Sequence, residues 1–465
     1  MNLNLSIHGH FYQPPREDPI SDYIPDEIGA EPYHNWNERI MAECYEPNAR
    51  TGNFGKISFN IGPTLFNWMQ QTFPDVTELI VTQERANFER DGYGNGMAQA
   101  YNHTILPLAT RLDKITQVRW GLGDFIYRFG HQPEGIWLPE TAADTETLCV
   151  LSDLGLKFTI LAPWQVSGEE GSRSPYSLEL PEGRPNFTVF TYDRDLSTQV
   201  SFLPEKTVNG DAFLYDLIAS NGGWEGFLRI IASDGELYGH HQPFRNYFLE
   251  YLLNGGAEEH GITWSWPGKW LHEHPGETRA GILQECSSWS CLHGCERWAR
   301  ECDCTSGANW KEPMRAALNE IAEWVDTAYL DLATPLFEDP WELRHRYVDV
   351  LTGQKTTHDL CLELSRRNLS PELQGQMNQL LKAQYERQRM FTSCGWFFDD
   401  FHRIEPQNNI AYAANAVWMT QRATGLDLSP VIMELLKDVR SNRTGLRADT
   451  IFSQTLMRAR AETGA

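Results

Sequence analysis

From residue 3 to about residue 310 the chain alternates short apolar runs with amphipathic stretches, and after Trp310 the apolar runs of strand length nearly vanish. That change of period constrains the fold more than any other feature. Strand-length runs separated by helix-length segments are the pattern of a parallel sheet with helical crossovers. Candidate strands are 3–8, 56–61, 135–138, 158–161, 187–192, 228–232 and 261–266, with helices predicted at 63–71, 144–154, 211–220 and 245–253. Asp144 is the expected N-cap of the second helix and Gly155 its stop. About seven strands joined this way predict an α/β fold, a parallel (β/α) barrel over 1–310. The later periodicity predicts helices at 314–330, 340–351, 373–388, 408–424 and 430–440, hence a helical bundle over 311–465 packing on the barrel mouth.

Two long connections, 11–53 and 162–184, follow predicted strands and should lie at the face where barrel enzymes place their sites. The first carries Tyr12, Tyr23, Tyr33, Trp36 and Tyr45, too aromatic for a disordered linker and suited to an ordered lid or cleft wall. Another segment breaks the helical pattern: Thr392-Ser393-Cys394-Gly395-Trp396-Phe397-Phe398-Asp399-Asp400. It reads equally as a loop reaching the barrel mouth or as a buried contact between domains.

Composition narrows the partners. With 39 basic and 63 acidic residues the net charge is −24, which argues against nucleic acid or an anionic membrane as the main partner. The first residues lack a basic start and a long apolar run, and no segment is apolar enough to span a bilayer, so a cytoplasmic location is expected. Nine cysteines fit reduced thiols in that compartment. Five cluster, Cys286, Cys291, Cys295, Cys302 and Cys304, with His293 among them. Their spacing is not that of paired Cys-x2-Cys knuckles, so packed or redox-sensitive thiols are the favoured reading over zinc, and neither metal nor cofactor is expected.

The chemistry gathers at two strand ends. Gly135-Ile136-Trp137-Leu138-Pro139-Glu140 and Ile230-Ile231-Ala232-Ser233-Asp234-Gly235-Glu236 each deliver a carboxylate after an apolar run, the second leading into Tyr238-Gly239-His240-His241. Two carboxylates brought together from distant sequence are the minimum equipment of a glycosidase. The structural alternative is that each caps a following helix. His8 and His10 point the same way from the end of the first strand, placed to bind a metal or sugar hydroxyls. With 16 tryptophans, flat faces for sugar stacking are plentiful; Trp137, Trp164, Trp289 and Trp396 are the candidates, with Asp399 a possible hydrogen-bond partner.

These motifs resemble, in order, those of glycoside hydrolase family 57, the α-glucan-active barrel enzymes. His8-Gly9-His10-Phe11-Tyr12-Gln13-Pro14 is similar to the family's first motif, and Gly94-Asn95-Gly96-Met97-Ala98-Gln99-Ala100-Tyr101-Asn102-His103 stands where the second belongs. The Glu140 segment resembles the third motif and the Asp234 segment the fourth; residues 392–400 resemble the fifth. Ser287-Ser288-Trp289-Ser290-Cys291-Leu292-His293-Gly294 and the Trp396 segment look like a subgroup with its own helical C-terminal domain. The resemblance implies a retaining enzyme acting on α-linked glucans or oligosaccharides, with Glu140 as nucleophile and Asp234, rather than Glu236, as general acid/base. His8, His10, Gln13, His103 and His240 join the tryptophans as expected substrate contacts, His240 and His241 tuning Asp234. Retention calls for carboxyls about 5–5.5 Å apart. Two other readings remain. One is a metal-dependent carbohydrate hydrolase, deacetylase- or mannosidase-like, using His8, His10, Asp234 and His240; the other is a non-catalytic glycan-binding barrel. The sugar, the linkage, hydrolysis versus transfer and the oligomeric state are left open by the sequence.

Overall fold

The computed structural model describes residues 3–168, 173–220, 222, 224 and 226–462. Four residues of the predicted long connection, 169–172, lie outside it, as do the two before the first strand and the last three of the predicted bundle. The chain forms two compact units. One comprises Met1–Pro15, Pro25–Ala100 and Phe125–Trp289; the other comprises Arg16–Ile24, Tyr101–Asp124 and Ser290–Ala465. This division differs from the single break after 310 expected from the sequence. Local period does not reveal that 16–24 and 101–124 pack with the later helices.

In the first unit, β1 (Leu3–Phe11) is the central strand, buried along nearly its whole length. It pairs in parallel with β2 (Ser58–Ile61), with β7 (Leu228–Asp234) and, at its start, with β8 (Ile262–Trp264). Between β2 and β7 in sequence lie β3 (Ala98–Gln99), β4 (Ile136–Trp137), β5 (Phe158–Leu161) and β6 (Phe187–Thr191). β3 pairs with β4 and β5 with β6, all in parallel. Parallel bridges Phe59–Gly96 and Gly135–Phe158 link β2 to β3 and β4 to β5. The Asp193 amide then donates to the Ile230 carbonyl at 2.7 Å, tying the end of β6 to β7. Every candidate strand of the sequence reading is present. Among the described residues it lacked the two-residue β3, hidden in a glycine-rich stretch, the short pieces Val166–Gly168, Tyr176–Leu178, Tyr238–Gly239 and Gln242–Pro243, too short to show periodicity, and the strand Arg279–Leu283.

The core inside these strands is Met97, Trp137, Phe158, Ile160, Phe190, Leu228, Ile230, Ala232 and Trp270, all buried. Asp144 caps the helix Thr145–Asp153 by accepting the Thr147 amide at 2.7 Å, as expected. The connection 11–53 is more regular than expected. Asn35 caps a helical run made of Trp36–Ile40, a π turn at Met41–Tyr45 and Glu46–Arg50. Its aromatic, non-periodic sequence concealed it.

The second unit is built on Lys311–Ala333, Pro371–Arg389, Ile404–Thr424 and Ala448–Glu462. Buried Arg344 and Arg387 share Asp113, with Arg344 3.2 Å from one carboxylate oxygen and Arg387 2.8 Å from the other. The stretch 392–400 is a short helix, Cys394–Phe397, whose Trp396 is fully buried, stacked on Trp310 at 6.3 Å and covered by the Arg315 guanidinium at 4.0 Å. Among the described residues no helix is long and apolar enough to cross a membrane.

Candidate active site

The first unit presents Glu140 on a turn that few side chains tolerate. Glu140 has φ +57° and Thr141 φ +50°, two consecutive non-glycine residues in the left-handed region. Such backbone costs of order 1 kcal/mol or more per residue and persists only where the surroundings enforce it. Gln165 does the enforcing. Its amide donates to the Thr141 carbonyl at 2.8 Å and to Ser287 Oγ at 3.1 Å, while its Oε1 accepts Thr141 Oγ1 at 2.7 Å and the Ala162 amide at 2.9 Å. Trp289 Nε1 donates to Glu140 Oε2 at 3.0 Å, and the Trp289 amide donates to the Glu140 carbonyl at 3.1 Å. Half-buried Glu140 is thus held from both its backbone and its carboxylate. It caps no helix, since the next helix is capped by Asp144.

Asp234 ends β7, paired in register with His10 of β1. It makes no capping bond to the turn that follows, so the capping alternative fails for both carboxylates. Its side chain is open to solvent although every residue of β7 before it is buried. Even so, the protein crowded around the carboxyl, together with the negative charge of Glu140, pushes its pKa up to about 7. A group reached by water yet poorly solvated stands in a cleft. Glu236 is different. It is buried, and its Oε1 accepts Tyr45 Oη at 2.7 Å and the Tyr12 amide at 3.0 Å. Burial pushes it up to about 8, but it anchors the segments beyond β1 rather than facing the cleft.

The histidines are neutral spacers in a polar stack. His8 is wholly buried, with Nδ1 2.9 Å from Ser58 Oγ and Nε2 3.2 Å from Asn60 Oδ1. Both its nitrogens are engaged, so the expected substrate contact is replaced by a supporting role. His10 also meets Asn60 through Nδ1, at 3.2 Å from Oδ1. Burial lowers the two pKa values to about 3 and about 4. Trp137 stacks on both rings, at 4.6 and 5.2 Å, and is fully buried. It is a floor beneath the histidines, not an open stacking face. Trp289 stands edge-on to Trp137 at 5.2 Å and to Tyr192 at 6.4 Å. Trp164 is 42% exposed, its Nε1 donating to the Ser288 carbonyl at 3.0 Å, and it remains the open aromatic face among the four candidates. Gln13 is half-buried just beyond β1. His240 Nδ1 is 2.5 Å from Glu43 Oε2, and its ring lies edge-on to Trp36 at 5.9 Å.

The other candidates belong to the second unit. His103, with φ +54°, is buried and bonded through Nδ1 to Ser393 Oγ at 2.6 Å. Trp396 is core there, so its expected stacking on sugar gives way to packing. Asp399 pairs with Arg443 at 2.5 Å. Sequence reasoning passed over Asn60, Gln165 and Glu43. Asn60 carried a signal, a polar residue set between Phe59 and Ile61 in a buried strand; Gln165 and Glu43, inside long connections, carried none.

An α/β unit with an elevated acid and a strained, hydrogen-bonded carboxylate at its strand ends, followed by a helical unit, defines the class. The chain belongs to glycosyl hydrolase family 57, which it matches over residues 4–278. Residues 307–463 match a domain of unknown function (DUF3536). An alpha-amylase of Pyrococcus abyssi is 22% identical over 246 residues, 51% of this chain and 33% of the relative. A 4-alpha-glucanotransferase of Thermococcus litoralis is 22% identical over 189 residues, 40% of this chain and 27% of the relative. The chain therefore spans about a quarter to a third of the length of the curated relatives it matches. Among solved structures, an exo-type maltose-forming amylase from Pyrococcus sp. ST04 aligns with a TM-score of 0.76 at 17% identity, over 97% of this chain and 88% of that one. A branching enzyme of Pyrococcus horikoshii aligns at 0.62 and 15% identity, over 98% and 94%. These alignments show a shared fold.

Proposed function

We propose that the protein is a retaining α-glycosidase or α-glucan transferase. In this reading the seven parallel strands β1–β7 close into a barrel, and the carboxylates at the ends of β4 and β7 work across its mouth. Glu140 attacks the anomeric carbon while Asp234 gives its proton to the leaving oxygen. Asp234, now ionised, then takes a proton from water or from an acceptor sugar as that oxygen breaks the glycosyl–Glu140 bond. The observation that carries the reading is the Asp234 carboxyl held near neutrality by its surroundings and by the Glu140 charge. An acid catalyst must hold a proton at working pH, and the nucleophile beside it must not. Trp289 Nε1 on Glu140 Oε2 favours the ionised nucleophile. The family and the names of its relatives, amylase and glucanotransferase, support an α-glucan or oligosaccharide as substrate.

The metal-hydrolase reading is disfavoured, because Ser58 and Asn60 occupy both His8 nitrogens and Glu43 occupies His240 Nδ1. The test is digestion of α-glucans and maltooligosaccharides by wild type and Glu140→Gln, with products separated by size. Loss of all products in the variant is expected. Products longer as well as shorter than the substrate identify a transferase; shorter ones alone, a hydrolase. Equal turnover by both proteins would overturn the assignment.

A further inference from the structure

Residues 290–310 contain only two short 3-10 turns among the described residues, Glu296–Trp298 and Asp303–Thr305, yet they bury Trp298 and Trp310 completely. A segment with so few backbone ladders packs tightly only if something else ties it down. Four side chains converge there. One ligand atom each from Cys291, His293, Cys302 and Cys304 lies within 4.8 Å of all the others. Cys291 Sγ is 4.0 Å from Cys302 Sγ, and Cys304 Sγ is 3.5 Å from His293 Nδ1. Tetrahedral zinc sets sulfur–sulfur edges of about 3.8 Å and sulfur–nitrogen edges of about 3.6 Å from its bond lengths. Packed thiols would have no reason to aim a ring nitrogen at the same point.

The surroundings match a metal too. The amides of His293 and Arg297 donate to Cys291 sulfur, and that of Cys304 to Cys302 sulfur. In both loops the donor two residues on folds the chain around the sulfur. His293 Nε2 lies 3.8 Å from the exposed Asp303 carboxylate, on the side of the ring away from the sulfurs. Three thiolates around a divalent ion leave one negative charge, and the buried Lys311 ammonium is near enough to Cys302 and Cys291 to balance it.

We propose that Cys291, His293, Cys302 and Cys304 form a structural zinc site that cross-links two loops of the helical unit. The Cys-x-His and Cys-x-Cys pairs supply soft sulfur and imidazole, which select zinc over magnesium or calcium. Binding releases the three thiol protons to solvent, leaves zinc at +2 and engages neutral His293 through Nδ1.

The test uses the full-length protein, reduced, loaded with zinc and desalted, with metal counted by mass spectrometry. About one zinc per chain is expected in wild type and in Cys286→Ser, whose exposed thiol lies outside the quartet. At least a fivefold loss is expected in Cys302→Ser and in Cys304→Ser. Cobalt in place of zinc should give wild type the visible spectrum of a tetrahedral thiolate site. If the serine variants fail to fold, wild type alone still decides: chelator should release one zinc and lower Tm by about 5 °C or more. Zinc retained by both serine variants, no zinc in loaded wild type, or a Cys291–Cys302 disulfide in the freshly purified protein would each overturn the proposal.

Discussion

The raised pKa of Asp234 sets the basic side of the pH profile. With its pKa raised to about 7 by crowding and by Glu140, Asp234 is protonated below neutrality and loses its proton above it. The basic limb of kcat/KM should therefore fall near pH 7, and Asp234→Asn should abolish that limb with the activity on unactivated glucans. In Glu140→Gln the neighbouring charge is gone, so the Asp234 pKa should drop, read by carboxyl NMR. Turnover in that variant should fall by on the order of a thousandfold or more with little loss of substrate affinity. A Trp289→Phe exchange removes the 3.0 Å donor to Glu140; kcat should fall by about tenfold or more with little change in KM, while an unchanged kcat would mean that Trp289 serves packing alone. The two carboxylates of the proposed mechanism stood out in the sequence because each follows an apolar run. The fate of His8, Trp137 and Trp396 was not: a polar or aromatic side chain at the right place looks the same from sequence whether it faces the cleft or supports it. Only the Ser58 and Asn60 contacts of His8 and the Trp310 stack of Trp396 decide the matter.

At the scale of elements, the turn carrying Glu140 depends on one side chain from another connection. Gln165→Ala would leave the Thr141 carbonyl and Ser287 Oγ without their donor. A loss of about 2 kcal/mol in urea denaturation is expected, with a fall in kcat larger than any rise in KM, because the nucleophile is misplaced rather than the substrate released. Unchanged kcat would show that Trp289 suffices to hold the turn. Strands were easier to read than this dependence. β5 and the Ile230-Ile231-Ala232 stretch of β7 are largely apolar runs whose composition announces burial, and β1 alternates, whereas Gln165 is one polar residue in a long connection, and its partner Thr141 lies 24 positions away.

For the molecule as a whole, the buried ionic network of the helical unit sets where it is most vulnerable. Asp113 faces two guanidiniums, with Arg387 also bonded to Asp326 at 2.8 Å. Those cations hold the Asp113 carboxyl well below its ordinary range. Its folded pKa lies beneath the unfolded value, so its stabilising contribution is present at neutral pH and is lost only as strong acid protonates it. Asp113→Ala leaves two buried cations short of a partner and should cost about 3–5 kcal/mol. The loss should appear in the unfolding of the helical unit, so calorimetry should resolve two transitions where wild type shows them closer together. Helices such as Pro371–Arg389 were legible from their period; the recruitment of Tyr101–Asp124 to their unit was not, because it rests on charges paired across hundreds of residues.

The patchwork make-up of that unit has a consequence for how the protein is made. Asp18 accepts from Arg458 at 2.7 Å, Pro19 from Asn415 at 3.0 Å, and Glu17 pairs with Arg389 at 2.5 Å. The ribosome releases Asp18 440 residues before its partner, a wait of roughly 20–90 s at ordinary rates of synthesis. For most of that interval, until Arg389 and Asn415 are made, the ribbon at 16–24 lacks these partners, while the strands on either side of it can already be assembling. The nascent chain must therefore keep an unfinished strap in hand, and a stop codon at or before position 458 would remove one of the three partners that pin the beginning of the protein.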